Sequence, residues 1–144
     1  MTTDYAKPLP RLDGPNRPFW EGARAGKLML QRCLDCGTFR FPAARCCAHC
    51  RGENAEWMAT SGRGTIQSFC LFHKVYFEGF AHEMPYNVIQ VRLEEDVQLF
   101  SNLVGTANDA IQIGAAVEVR FEPATRDITL VKFALIEGAK ESLP

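Results

Sequence analysis

Two CxxC pairs, Cys33-Leu34-Asp35-Cys36 and Cys47-Ala48-His49-Cys50, fall inside eighteen residues of this chain. Each pair places two thiolates on one tight turn, and two such turns facing each other make a tetrahedral sulfur cage. A closed four-thiolate cage suits zinc. The spacing therefore points to a small metal-stapled module in the first third of the chain, with Cys33, Cys36, Cys47 and Cys50 as ligands. A closed structural zinc performs no chemistry of its own. Gly37, directly after the first pair, lets backbone N–H groups approach the sulfurs.

The segment Met1–Asp13 carries no apolar signal core, and no apolar run approaches the ~18 residues that span a bilayer. A cytoplasmic location is the expectation, and there CxxC pairs read as metal ligands rather than disulfides. Iron is the alternative occupant, because rubredoxin uses similar spacing, but nothing in the sequence indicates an electron-transfer partner. Cys46 is expected to neighbour the site, since Cys47 with Cys50 keeps the two-residue gap. His49 lies between two ligands and is not needed once four thiolates close the shell. Cys70 sits in an apolar strand pattern and reads as a small buried hydrophobe. A nucleophilic role would require a base or a cationic setting beside it.

Charge is unevenly spread beneath a net of −1. Up to residue 51, Arg17, Arg24, Lys27, Arg32, Arg40, Arg45 and Arg51 face only Glu21 and Asp35 after a balanced first sixteen residues. From Gly52 onward thirteen acidic residues outnumber seven basic ones, so a basic metal module precedes an acidic body. The body has the composition for a core, the whole chain being 47% apolar. Residues 1–26 read as an extended, proline-bearing arm and a short helix. Asn16 is its expected N-cap, Pro18 lies in the first turn, Phe19, Trp20 and Ala23 follow, and Gly26 ends it. Residues 27–60 form the ribbon: Lys27–Arg32 is a strand leading into Cys33, and Phe39 and Phe41 are expected to pack under the metal. A link through Trp57 then reaches Ser61-Gly62-Arg63-Gly64.

From there the periodicity changes to strands: Thr65–Phe72, Tyr86–Leu93, Val97–Val104, Ala116–Phe121 and Ile128–Leu135. Glu94-Glu95-Asp96 is a tight turn joining the second and third, and Asn108 to Gly114 connects the third and fourth. Five strands with one such connector fit a small closed Greek-key barrel of the OB type over residues 61–137, leaving 138–144 as a tail. A ribbon followed by an OB barrel suggests nucleic acid, but a strand-tracking groove must be positive. Here the body is acidic and its first strands offer only Arg63, Lys74 and Arg92 as cations, which argues against nucleic acid.

The ordered features are more specific than either module. Phe19-Trp20-Glu21-Gly22, Gly26-Lys27-Leu28, Gln31-Arg32-Cys33-x-x-Cys36-Gly37, Phe41-Pro42 and Cys47-x-x-Cys50 are followed by Trp57 and Ser61-Gly62-Arg63-Gly64-Thr65. His73, Pro85-Tyr86, the acidic turn before Val97, Asn102-Leu103-Val104-Gly105, Ile113-Gly114 and Val117-Glu118-Val119 complete the series. Over about residues 17–135 this resembles the DUF35 family. The resemblance implies a mainly β chain with an N-terminal helical segment, a rubredoxin-like zinc ribbon and a C-terminal five-stranded OB-fold barrel. It further implies an accessory subunit that assembles with a thiolase-superfamily partner acting on acyl-CoA. In that setting the partner carries the reacting residues, and this chain stabilises the complex or helps form the acyl-CoA channel. Thiolysis of a 3-oxoacyl-CoA is favoured over a steroid side-chain-type retro-aldol cleavage. The length favours a stand-alone subunit over a fused hydratase polypeptide. A free-standing acyl-CoA or single-stranded nucleic-acid binding module is the reading from another class.

Within that reading, Arg24, Lys27, Arg32, Arg40 and Arg45 are the candidates to face the phosphates of CoA, against the plain alternative that they are solvated surface cations. The stretch His73–Pro85 is long and aromatic for a hairpin connection. Tyr76, Phe77 and Phe80 make it a candidate docking surface, the alternative being that it folds back over the barrel mouth. Phe19 and Trp20 either pack on the ribbon or anchor the partner. His73 and His82 read as surface histidines before proton-transfer groups. No residue is assigned a catalytic role, and no membrane contact is expected.

Overall fold

The computed structural model describes residues 7, 9–12, 14–75 and 77–136. Helix α1 spans Arg17–Arg24, entered through a 3₁₀ turn at Gly14–Asn16 with proline in its first turn. Asn16 is not the expected cap: its backbone is already helical and its side chain bonds no amide, because the preceding turn runs straight into the helix. Gly26 ends the element with φ +81°, the left-handed conformation that glycine adopts freely. Phe19 and Ala23, one helical turn apart, are the buried face. At Gly22 an added Cβ would meet Met29 Cγ at 2.3 Å, so the helix lies close against the strand that follows.

Strands β1 (Met29–Cys33), β2 (Phe39–Arg40) and β3 (Ala55–Ala59) form an antiparallel sheet ordered β2-β1-β3. The stretch expected as a link through Trp57 is thus β3, paired from Met29↔Ala59 to Cys33↔Ala55. Its sequence, Ala-Glu-Trp-Met-Ala, lacks β-branched residues, and only the partner strand makes it extended.

Strands β4 (Arg63–Phe72), β5 (Tyr86–Leu93), β6 (Gln98–Ser101), β7 (Ala116–Pro123) and β8 (Thr129–Leu135) form one antiparallel sheet ordered β6-β5-β4-β7-β8. All five expected strands are present, and the Glu94–Asp96 turn makes the β5–β6 hairpin, with Asp96 at φ 63°. The sheet curls until its edges meet at one parallel bridge, Leu103↔Phe133. There Val104 N donates to Phe133 O at 2.8 Å and Phe133 N to Asn102 O at 3.0 Å. The expected closed barrel is therefore a curled sheet closed at a single seam. Gly64 permits the tight β4–β5 approach, since a Cβ there would meet Arg92 O at 2.5 Å.

The register of β4 shifts between Ile66 and Ser68. That bulge overturns the reading of Cys70: unbroken alternation from Ile66 would turn Cys70 inward, whereas after the extra residue it is Phe69 and Leu71 that share the face of Ile89 and Asn87, Leu71 half-buried and Phe69 still 37% exposed. Cys70, paired with Val88, is exposed.

A single core joins all these parts. Phe19, Leu28 and Leu30 from the helix and ribbon pack with Ile66, Ile89, Val91, Leu93, Val97, Leu99, Leu103, Ile111, Val117 and Phe133. Phe41 stands 5.2 Å from Phe19, and both Phe39 and Phe41 pack on this common core rather than beneath the metal site. The crossing between sheets is pinned by Thr60, whose N–H and hydroxyl both donate to Leu28 O at 2.9 Å, and by Ser61 N donating to Glu95 Oε2 at 2.8 Å.

The seam has its own polar brace. Buried Asn87 accepts from Leu103 N at 2.7 Å and donates to Leu103 O at 3.0 Å and to Asn108 Oδ1 at 3.1 Å. Its amide thus takes the place of a neighbouring strand's backbone where β6 has ended. Asn87→Ala leaves a buried N–H and C=O of Leu103 unpaired and is expected to cost about 2–4 kcal/mol in chemical denaturation. Cys70→Ser, on the exposed face, should stay within about 0.5 kcal/mol of the parent protein.

Candidate metal centre

The strand β1 delivers Cys33, and the turn after it folds back so that Gly37 N donates to Cys33 O and Cys33 N to Thr38 O, both at 2.9 Å. The second turn repeats the plan: Arg51 N donates to Cys47 O and Cys47 N to Gly52 O, both at 2.8 Å. Gly37 takes φ +79° in the first turn, and Arg51 takes φ 65° at the matching place in the second. Sequence spacing predicts the first of these and gives no sign of the second, because arginine carries no left-handed signal. Asp35 ties the two turns sterically: a Cβ on Gly52 would meet its Oδ2 at 2.1 Å and Cys50 Sγ at 3.3 Å.

The four sulfurs of Cys33, Cys36, Cys47 and Cys50 lie within 4.8 Å of one another. Cys33 to Cys50 is 3.5 Å and Cys36 to Cys47 is 3.6 Å. Zinc–sulfur bonds of ~2.3 Å in a tetrahedron put sulfurs about 3.8 Å apart, so the donor set and spacing fit zinc. His49 N and Gly52 N lie 3.3 and 3.4 Å from Cys47 Sγ and Cys50 Sγ as donors to the ligand sulfurs.

The free thiols cannot all ionise together. Hydrogen bonding with the Thr38 side chain and backbone brings Cys36 down to about 6. The N–H groups of Cys50 and His49 lower Cys47. Cys50, although the Gly52 N–H acts to lower it, is pushed up to about 12, chiefly by Cys33 beside it. A divalent cation at the centre removes this conflict.

Other expected site residues scatter. Cys46 and His49 are exposed beside the cage. Arg32 pairs with Glu56 at 4.0 Å, and Arg45 with Glu53 at 3.1 Å. Arg40, expected on the surface, is buried, and its Nε and Ala44 N both donate to Gln31 Oε1. Arg24 and Lys27 are exposed and make no ion pair among the described residues. Phe19 belongs to the core, so of the two leading aromatics Trp20, edge-on to Phe19 at 4.9 Å and half-buried, has a face to offer. Between β4 and β5, a 3₁₀ turn at Glu78–Glu83 follows Phe77, which is 55% exposed beside Val75. Phe80 lies in that turn; its side chain and Tyr76 fall outside what is described. His73 and His82 are exposed and remote in sequence from the cage. Sequence reasoning missed Phe100, 71% exposed on β6, though the inward run Val97, Leu99, Leu103 already implied that Phe100 points outward.

Fold and cage together define a zinc-ribbon/OB-fold protein. Residues 20–56 match the rubredoxin-like zinc ribbon domain of ChsH2, and residues 57–122 match the ChsH2 C-terminal OB-fold domain. A probable enoyl-CoA hydratase alpha subunit from Thermomonospora curvata is 35% identical over 136 residues, 94% of this chain and 42% of that protein. A DUF35 domain-containing scaffold protein from Methanothermobacter thermautotrophicus is 36% identical across 62% of this chain and 68% of its own length. The benzoylsuccinyl-CoA thiolase subunit BbsA of Thauera aromatica is 35% identical across 57% of this chain and 55% of its own. The solved Ltp2-ChsH2(DUF35) aldolase contains a chain that superposes with a TM-score of 0.78 at 35% identity, covering 88% of this chain and 98% of that one. The chain belongs to the DUF35 family. It spans less than half the length of the Thermomonospora relative.

Because Gly52 is packed against Asp35 and Cys50, Gly52→Ala should weaken zinc binding by at least about tenfold in competition with a chromophoric chelator. Arg51→Gly, which relieves a left-handed arginine, should bind zinc at least as tightly as the parent.

Proposed function

We propose that this chain is a non-catalytic subunit whose zinc-stapled ribbon and OB sheet dock on a thiolase-superfamily protein that cleaves a carbon–carbon bond of an acyl-CoA. The observation that carries the reading is the match, over nearly its whole length, to the DUF35 chain of the Ltp2-ChsH2 aldolase. The name of the Methanothermobacter relative, a scaffold protein, supports a structural role. The chemistry agrees. The four cysteines fit a closed zinc shell with no open position for substrate, and a closed shell stabilises fold rather than transition state. Cys33, Cys36, Cys47 and Cys50 would hold the zinc, which supplies cross-linking and no reacting group.

Thiolysis of a 3-oxoacyl-CoA and retro-aldol cleavage both proceed through an enolate at the thioester, so in either case the partner supplies the reacting residues. BbsA favours thiolysis. The fuller coverage of the aldolase chain, and the match of both halves to ChsH2 domains, shift the weight to retro-aldol cleavage and away from the sequence-based preference. Arg24 and Lys27 are the cations available for CoA phosphates. Exposed Phe77 and half-buried Trp20 are the apolar side chains proposed to meet the partner.

Co-expression with a thiolase-like protein from the same genome, followed by size exclusion and assay against a panel of acyl-CoAs, tests the reading. A stable complex that cleaves an acyl-CoA is expected. A monomer that ignores the thiolase-like protein and retains single-stranded nucleic acid contradicts it. Phe77→Ser should abolish co-elution while leaving the melting temperature of the isolated chain unchanged; co-elution that persists contradicts the docking role of that loop.

A further inference from the structure

Arg40 is the one charged residue among the buried side chains of the described chain. It lies on the edge strand β2 and is 9% exposed, and its Nε donates to Gln31 Oε1 at 3.0 Å. Its Nη1 is sealed from solvent without an acceptor, and no carboxylate among the described residues pairs with it. A guanidinium stays ionised in proteins, so this largely buried positive charge has, among the described residues, the neutral Gln31 amide as its hydrogen-bond partner. Burying an unpaired charge is unfavourable enough to need a compensating field.

The surroundings show where that field would come from. Arg40 stands opposite Gln31 in the β1–β2 register, and Gln31 shares its strand face with Cys33 two residues on. One pleat repeat of about 7 Å separates those two positions. The same Gln31 Oε1 accepts from Ala44 N at 2.9 Å, three residues before Cys47. The amide that holds the guanidinium therefore also anchors the strand entering the first cysteine turn and the loop entering the second. A zinc ion with four thiolates carries two net negative charges.

We infer that Arg40 is a positioning residue for the metal centre: a buried counter-charge, fixed by Gln31, that offsets the excess negative charge of the metal-bound tetrathiolate. The inference rests on the reading of the four cysteines as a metal cage and assigns Arg40 to that cage rather than to CoA. The role is electrostatic, so it should show in a property that packing leaves alone.

The test uses the full chain loaded with zinc and, separately, with iron, comparing the parent protein with Arg40→Gln, Arg40→Met and Arg40→Lys. Zinc affinity, read by chelator competition, should fall by about tenfold in the two neutral variants and be largely kept by lysine. The Fe(III)/Fe(II) potential should shift negative in the neutral variants and return toward the parent value in Arg40→Lys, because a lost positive charge favours the more positive metal. Equal potentials across all four proteins overturn the inference, including the case in which zinc affinity falls through packing alone. If Arg40→Met does not fold, the Gln and Lys variants carry the comparison. A parent protein that binds neither metal removes the cage reading and this inference with it, whereas metal binding with unchanged potentials removes this inference only.

Discussion

Four sulfurs held around one point are the constraint on which the first third of this molecule depends. Between Cys33 and Asn54 the buried side chains are Cys33, Arg40 and Cys47, and two of those three are ligands. A segment with so little apolar burial cannot offset an ordering cost of about 1–2 kcal/mol per residue from its own packing. A structural zinc would offset part of that cost by cross-linking the two cysteine turns. The turns are built accordingly, with short backbone bonds around each cysteine pair and Gly52 left bare where Asp35 and Cys50 close in.

The cage also reaches the rest of the fold through β1. That strand carries Leu30 into the common core and Cys33 into the cage, while β3 alongside it leads through Thr60 and Ser61 into the OB sheet. Ribbon and sheet are therefore one packed body rather than two beads. If the chain docks as proposed, a single packed body presents its surface already ordered, which limits the entropy lost on binding.

Much of this was legible in the amino-acid order. The CxxC spacing specified the cage, and strict alternation in Tyr86–Leu93 placed that strand at both ends. What sequence concealed has identifiable physical causes. Strand β3 lacks β-branched residues and a clear two-residue alternation, so its pairing with β1 was not visible in sequence. Cys70 was misplaced because a one-residue bulge, invisible in composition, reverses the faces of the second half of β4. Arg40 looked like surface charge, since a lone arginine gives no hint that it will be buried with its Nε on Gln31. Arg51 hid the symmetry of the two turns by taking a conformation that glycine usually signals. Of the aromatics expected at a partner surface, the structure separates core Phe19 from exposed Phe77.

The central claim is that the metal shapes this subunit and takes no part in chemistry. Replacing zinc by cadmium tests it most directly, since cadmium keeps the tetrathiolate preference but differs in Lewis acidity. The cadmium-loaded chain should assemble with its thiolase-like partner and support turnover within about twofold of the zinc form. Unimpaired assembly with turnover lowered by about tenfold or more would place the metal in the reaction and contradict the account.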